Sequence, residues 1–165
     1  FFHSSSVSDV ADPRQGLATG RNDEFLRFWS EVDRANTSFD CFSHENSLTR
    51  PQRWYPCQKG GAYRKWYGNH DYLVNWQHDG QALLNFKPNA VIRNPDYYFK
   101  EGATWSSLSS SSLSMRYNPK GFIFESKGSF CFPHAETSLY YLIALSNSVV
   151  VKYFNRNICR DLIFA

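Results

Sequence analysis

The apolar residues of this chain arrive in short, aromatic-rich runs broken by turn residues, and that pattern limits the folds open to it. Trp54-Tyr55, Tyr72-Leu73-Val74-Asn75-Trp76, Tyr97-Tyr98-Phe99 and Phe122-Ile123-Phe124 are divided by Gly60-Gly61, Asp79-Gly80, Glu101-Gly102 and Asn118-Pro119-Lys120-Gly121. Gly, Asp and Pro favour turns for distinct backbone reasons, so short runs between them read as strands. Gly60-Gly61 predicts a tight turn between two aromatic-rich strands. Leu113, Met115 and Tyr117 alternate as one strand face does, and Phe122-Ile123-Phe124 would return as the second arm of a hairpin. The serine run 106–114 is expected as the loop leading into it. No stretch approaches the roughly 18 apolar residues of a membrane helix, and no internal repeat occurs.

Helices are expected at both ends. Phe25, Phe28, Trp29 and Val32 fall at i, i+3, i+4 and i+7 behind Asn22 or Asp23 as cap. Thr137 or Ser138 can cap a second helix through Leu139, Leu142, Ile143, Leu145, Val149 and Val150, after which 153–165 would dock as a short helix or strand. Residues 34–50 are polar and non-periodic and read as loop; 83–92 read as a short helix plus loop. The expected fold is α+β: one domain over 1–165, with a core at about 7–135 and a C-terminal helix and docking tail at 136–165. Its sheet would be twisted and mostly antiparallel.

Composition narrows function less than fold. Aromatics are 18% of the chain, which favours a flat ligand such as a base or sugar. The net charge of +3 is compatible with a polyanion but far from a basic tail. Cys41, Cys57, Cys131 and Cys159 form no Cys-x-x-Cys pair and are too sparse for a disulfide scaffold, so a reduced, cytoplasmic setting is expected. The first residues lack the basic and apolar regions of a signal peptide, and there is no initiator Met, so a piece of a longer protein is expected.

The densest local signal is basic and aromatic together. Lys59, Arg64 and Lys65 alternate with Tyr63, Trp66 and Tyr67, and Asn69 closes the segment. On a strand these side chains divide between two faces, one for the core and one for phosphates or base edges. The plainer reading is a sheet surface with extended Lys and Arg side chains. Trp66, Trp76 and Trp105 are expected in the core. Cys41-x-x-His44 has ligand-like spacing but no second close pair, which favours buried thiols and surface histidines over zinc. No nucleophile elbow, Walker loop or glycine-rich cofactor turn occurs. Asn94-Pro95-Asp96-Tyr97 resembles the Asn-Pro-Pro-Tyr of amino methyltransferases, with Asp96 in place of the second Pro. Asp96 with Glu125 and Lys127 fits a short metal-dependent nuclease pattern, in which two carboxylates would hold Mg²⁺ and the Lys would help activate water. A protein-interaction module is a further alternative.

Three ordered stretches carry a family resemblance: 12–27, with Asp12-Pro13-Arg14-Gln15-Gly16; 59–76, with Lys59-Gly60-Gly61-Ala62-Tyr63-Arg64-Lys65-Trp66-Tyr67-Gly68-Asn69; and 97–122, with Gly102-Ala103-Thr104-Trp105 and Arg116-Tyr117. Together they resemble the C-terminal target-recognition region of large adenine-specific DNA methyltransferases of the BREX phage-exclusion type, related to fused type II restriction–modification enzymes. The resemblance implies a double-stranded DNA partner and a fold similar to type I restriction specificity-subunit target domains. It implies an upstream methyltransferase domain that binds S-adenosylmethionine, with no cofactor and no catalysis in this segment. The residues it points to are Arg14, Lys59, Arg64, Lys65, Asn69, Arg93, Lys100 and Arg116. Arg64 and Arg116 would be guanine readers, Asn69 an adenine reader, and Lys59, Lys65 and Lys100 phosphate contacts. The C-terminal helix would pack on the rest of the parent enzyme or a partner.

Overall fold

The computed structural model describes residues 7–107 and 113–158. Nine strands are present among them: β1 (Ala11–Arg14), β2 (Leu26–Phe28), β3 (Trp54–Gln58), β4 (Trp66–Tyr67), β5 (Tyr72–Asn75), β6 (Gly102–Thr104), β7 (Arg116–Asn118), β8 (Ile123–Phe124) and β9 (Phe130–Pro133). The α-helices are α1 (Asn22–Phe25), α2 (His44–Thr49), α3 (Gln77–Asn85), α4 (Leu139–Ser146) and α5 (Val149–Ile158). The class is α+β, and most strand pairings are antiparallel; β3 with β8 and β4 with β7 run parallel. No helix among the described residues is long and apolar enough to cross a membrane.

Two sheets replace the single one expected, ordered β1-β9-β6-β7-β4 and β2-β5-β3-β8. Strand alternation explains the layering. On β9, Phe130 and Phe132 join the larger buried cluster with Tyr55, Cys57 and Val74 of the four-stranded sheet, while Cys131 points the other way. Cys131 packs with Ala11, Ala103 and Met115 against Leu142 and Ile143 of α4. The large aromatic core therefore lies between the sheets, and α4 covers the outer face of the five-stranded one. Phe124 packs tilted against Phe130 (4.6 Å) and edge-on to Tyr98 (5.3 Å), closing that core.

Several local expectations change. The stripe at 25–32 is one helical turn: α1 ends at Phe25 and the chain extends at once into β2, which pairs with β5. Phe28 and Trp29 are exposed rather than core-facing: Phe28 ends edge strand β2 with its ring against Tyr72 at the surface, and Trp29 opens a 3-10 turn beyond it. Residues 34–50 contain α2, whose Ser43 accepts a hydrogen bond from Asn46 N. The hairpin at 113–124 does not form: β7 pairs with β6 and β4, whereas β8 crosses to β3 in the other sheet. Nor is Gly60-Gly61 a hairpin turn, since β3 and β4 lie in different sheets. Ser138 caps α4 as expected, but the helix stops at Ser146 and α5 starts separately. The rest of the tail, 159–165, and positions 108–112 of the serine run lie outside the described residues, as does Cys159.

Asp79 fastens α2 to α3. Its Oδ1 accepts from Trp76 Nε1 (3.0 Å) and Ser47 Oγ (2.7 Å) and meets His44 Nδ1 at 2.6 Å. Burial disfavours the His44 imidazolium, but the Pro95 carbonyl and Asp79 outweigh it and raise its pKa. Gly80 sits with φ +79 against the Trp76 ring, where a Cβ would come within 2.7 Å of it.

Candidate nucleic-acid interface

β4 is an edge strand of the five-stranded sheet, and the basic–aromatic segment runs through it. Tyr63, Arg64, Trp66 and Tyr67 are all exposed, Trp66 by 56%. This corrects the expectation that Trp66 is core; Trp76, at 1%, is. Trp66 also holds a φ of +74, a conformation that bulky side chains avoid. Backbone strain on an exposed aromatic is a mark of functional positions. Arg64 lies along the backbone of Gly68: a Cβ there would be 2.6 Å from Arg64 Cδ.

Beneath this edge, the neighbouring polar residues face inward. Arg116, expected as a guanine reader, is 0% exposed. Its Nη1 donates to Arg64 O (3.1 Å) and its Nη2 to Ser106 Oγ (3.2 Å), while Nε finds no partner among the described residues. Burial, then the Arg64 charge, bring its pKa down to about 10. A side chain enclosed in this way does not reach a groove. Asn69, expected as an adenine reader, is 4% exposed and donates through Nδ2 to Ala62 O (2.9 Å). Lys65 donates to Asn147 O (2.7 Å) at the C-terminal end of α4, where a cation complements the helix dipole. Asn147 also exchanges hydrogen bonds with both backbone groups of Met115, so α4 and β7 hold the β4 edge together.

The other expected contacts fall elsewhere. Arg14 is on β1, at the opposite edge, bound to Asp12 Oδ1 (3.0 Å) and Tyr97 OH (3.1 Å). Lys100 Nζ lies 5.1 Å from the same Tyr97 ring. The Tyr97 hydroxyl, with the Arg14 and His134 charges, holds the Asp12 carboxyl below its ordinary range. A groove of about 1010 Å³ opens here, where Lys100, Lys120 and His134 are mixed with Asp12, Asp96 and Glu101. Arg93 is half-buried, and its carbonyl accepts from Tyr98 OH. Lys59 lies over Tyr72, with Nζ 4.4 Å from the ring.

Glu125 is buried and accepts from Ser126 Oγ (3.0 Å) and Lys127 N (2.9 Å), whereas Asp96 is exposed in the large groove. No group of three metal-ligating side chains occurs among the described residues. Cys41 Sγ donates to Ser43 O and His44 turns to Asp79, so the Cys41-x-x-His44 pair is used internally. Sequence reasoning passed over Trp66 and Tyr67 as surface groups. It also treated Lys127 only as part of the nuclease pattern; the signal available was the repeated Lys-Gly at 59–60 and 127–128.

No family model matches the chain. It is similar to two curated proteins. One is the adenine-specific methyltransferase BrxX of Escherichia coli O9:H4 (strain HS), 44% identical over 153 residues, which cover 91% of this chain and 12% of that protein. The other is the adenine-specific methyltransferase PglX of Lacticaseibacillus casei (strain Zhang), 39% identical over 153 residues, 89% of this chain and 13% of that protein. The chain thus spans about one-eighth of the length of these relatives.

Proposed function

Homology to one segment of large adenine-specific methyltransferases is the premise from which we propose that this chain recognises double-stranded DNA for such an enzyme. It is read as the C-terminal target-recognition region of a BREX phage-defence methyltransferase acting in the bacterial cytoplasm. The observation that carries the reading is the solvent-facing β4 edge, where Arg64 stands among Tyr63, Trp66 and Tyr67. An Arg fork can bond guanine in the major groove, and exposed aromatic rings offer surface to sugars and bases. The enclosure of Arg116 and Asn69 concentrates base reading on Arg64. Lys65 acts by fixing the edge to α4; Lys59 is kept as a phosphate contact, and Arg14, Arg93 and Lys100 as outlying contacts.

S-adenosylmethionine chemistry belongs to the upstream methyltransferase domain of the parent. The described residues do not fit that cofactor, since Gly60-Gly61 is followed by an edge strand rather than by a helix that could receive it. The role assigned to this segment is recognition without catalysis. The partner surface for the rest of the enzyme is α5, where Val149 (81% exposed), Val150, Tyr153 and Phe154 form an apolar face.

The test is binding to duplex DNA across a salt series, with Arg64→Ala beside the unaltered chain. A negative slope of log affinity against log salt is expected, and the variant should lose affinity for the cognate site more than for random duplex. Equal losses would make Arg64 a phosphate contact. In the full methyltransferase, the same substitution should slow site methylation while leaving S-adenosylmethionine binding intact.

A further inference from the structure

The Lys59-Gly60 and Lys127-Gly128 turns are locked backbone to backbone. A Cβ on Gly128 would lie 2.6 Å from Gly60 N, and one on Gly60 would lie 2.6 Å from Lys127 O. Only glycine permits both approaches. Each turn is held by its own bonds: Gly60 N donates to Gln58 Oε1 (3.2 Å), Gly128 N to Glu125 O (2.9 Å), and Ser107 N to Lys127 O (3.0 Å). Ser106 Oγ, which receives Arg116, donates to Gly61 O (2.9 Å) and ties the cradle to the interior.

Between the turns lies a cleft of about 200 Å³, lined by Lys59, Gly60, Gly61, Tyr72, Ser106 and Lys127. Lys59 and Lys127 both line it, and no acidic residue does. Glu125, buried nearby, is bonded to Ser126 and to the Lys127 amide instead. Among the described residues neither lysine forms an ion pair. A neighbouring groove of about 380 Å³ shares Lys59 and Tyr72 and is lined by Arg27 together with Asp23 and Glu31.

We propose that the Lys59–Lys127 cleft binds one phosphate group, the phosphodiester of the duplex backbone. This rests on the DNA-recognition reading and adds Lys127 and the paired Lys-Gly turns to it. Phosphate contacts of this kind position a recognition domain while Arg64 reads its site.

Lys59→Gln and Lys127→Gln remove charge and leave the glycine contacts in place, and urea unfolding of each variant verifies the fold. In the duplex salt series each should flatten the slope by about 0.9, the value for one phosphate. A chain that binds duplex with the same slope in both variants overturns the cleft and leaves the DNA reading standing. A second arm titrates the chain with inorganic phosphate at constant ionic strength, following the amide resonances of Gly60, Gly61 and Gly128. Saturable shifts that chloride does not produce, and that the double variant loses, support the cleft. Should they appear in a chain that ignores duplex, the phosphate site stands with free phosphate as its source and the DNA reading fails. Absence of both the shifts and the slope change overturns the proposal.

Discussion

The two sides of β4 carry the same residue types and treat them in opposite ways. On the outer side, Arg64, Trp66 and Tyr67 stand in solvent; on the inner side, Arg116 and Lys65 are bound to carbonyls and hydroxyls of the protein itself. The two arginines meet, since Arg116 donates to the backbone carbonyl of Arg64. One guanidinium holds in place the peptide that presents the other. A basic cluster read from sequence thus contains both exposed groups and the frame that holds them, and only burial separates the two.

That contrast breaks most sharply at Arg116. Arg116→Ala should lower stability by about 3 kcal/mol or more, since it opens a cavity and leaves buried oxygens unpaired. Urea unfolding measures it, and a loss below about 1 kcal/mol would remove Arg116 from the frame. Arg64→Ala should do the reverse, leaving the unfolding midpoint in place while weakening cognate DNA binding by about 1–3 kcal/mol. Lys65→Ala is expected between them, with about 1 kcal/mol of stability lost from the α4 terminus and its effect on DNA following from the displaced edge. Trp66→Ala should change stability by no more than about 0.5 kcal/mol; a larger fall would mean that its ring supports the sheet.

Proton linkage gives the finest probe. Burial and the Arg116 charge hold the His70 pKa below its ordinary 6.5. The unfolded chain therefore takes up the proton first, and stability should fall as pH drops below about 6.5. His70→Gln should flatten that acid limb. His44, whose pKa is raised, contributes stability that is complete below 6.5 and is lost as pH climbs through its folded pKa. His44→Gln should flatten the neutral-to-alkaline limb instead, so the two histidines separate by pH window.

The elements legible in the sequence were those whose signals are local. Tyr72–Asn75 formed its strand and Ser138 capped its helix, whereas Asp79-Gly80, expected as a turn, lies inside α3 in its left-handed stretch at 78–80. The stripe at 25–32 misled because aromatic spacing alone does not tell a helix from a helical turn that runs into an edge strand. Phe122–Phe124 misled differently: its turn residues are local, but its pairing partner β3 lies some 65 residues upstream, and non-local pairing leaves no mark in a window. In the candidate site, the sequence located the β4 segment and Arg64. It could not divide Arg64 from Arg116, because both are arginines beside aromatics and their difference lies in burial: Arg64 stands in the exposed segment before β4, whereas Arg116 is enclosed on β7.

The order of the strands carries one more consequence. Following the chain from β1 to β9, the backbone passes from one sheet to the other six times. Neither sheet is a contiguous stretch of polypeptide, and neither can detach while the other persists. Slow hydrogen exchange should therefore fail in both sheets at the same denaturant concentration, as for a single cooperative foldon. A cut anywhere between β2 and β8 would leave two fragments that each hold strands of both sheets. Neither fragment would fold alone, and mixing them is the route by which they would regain a native core.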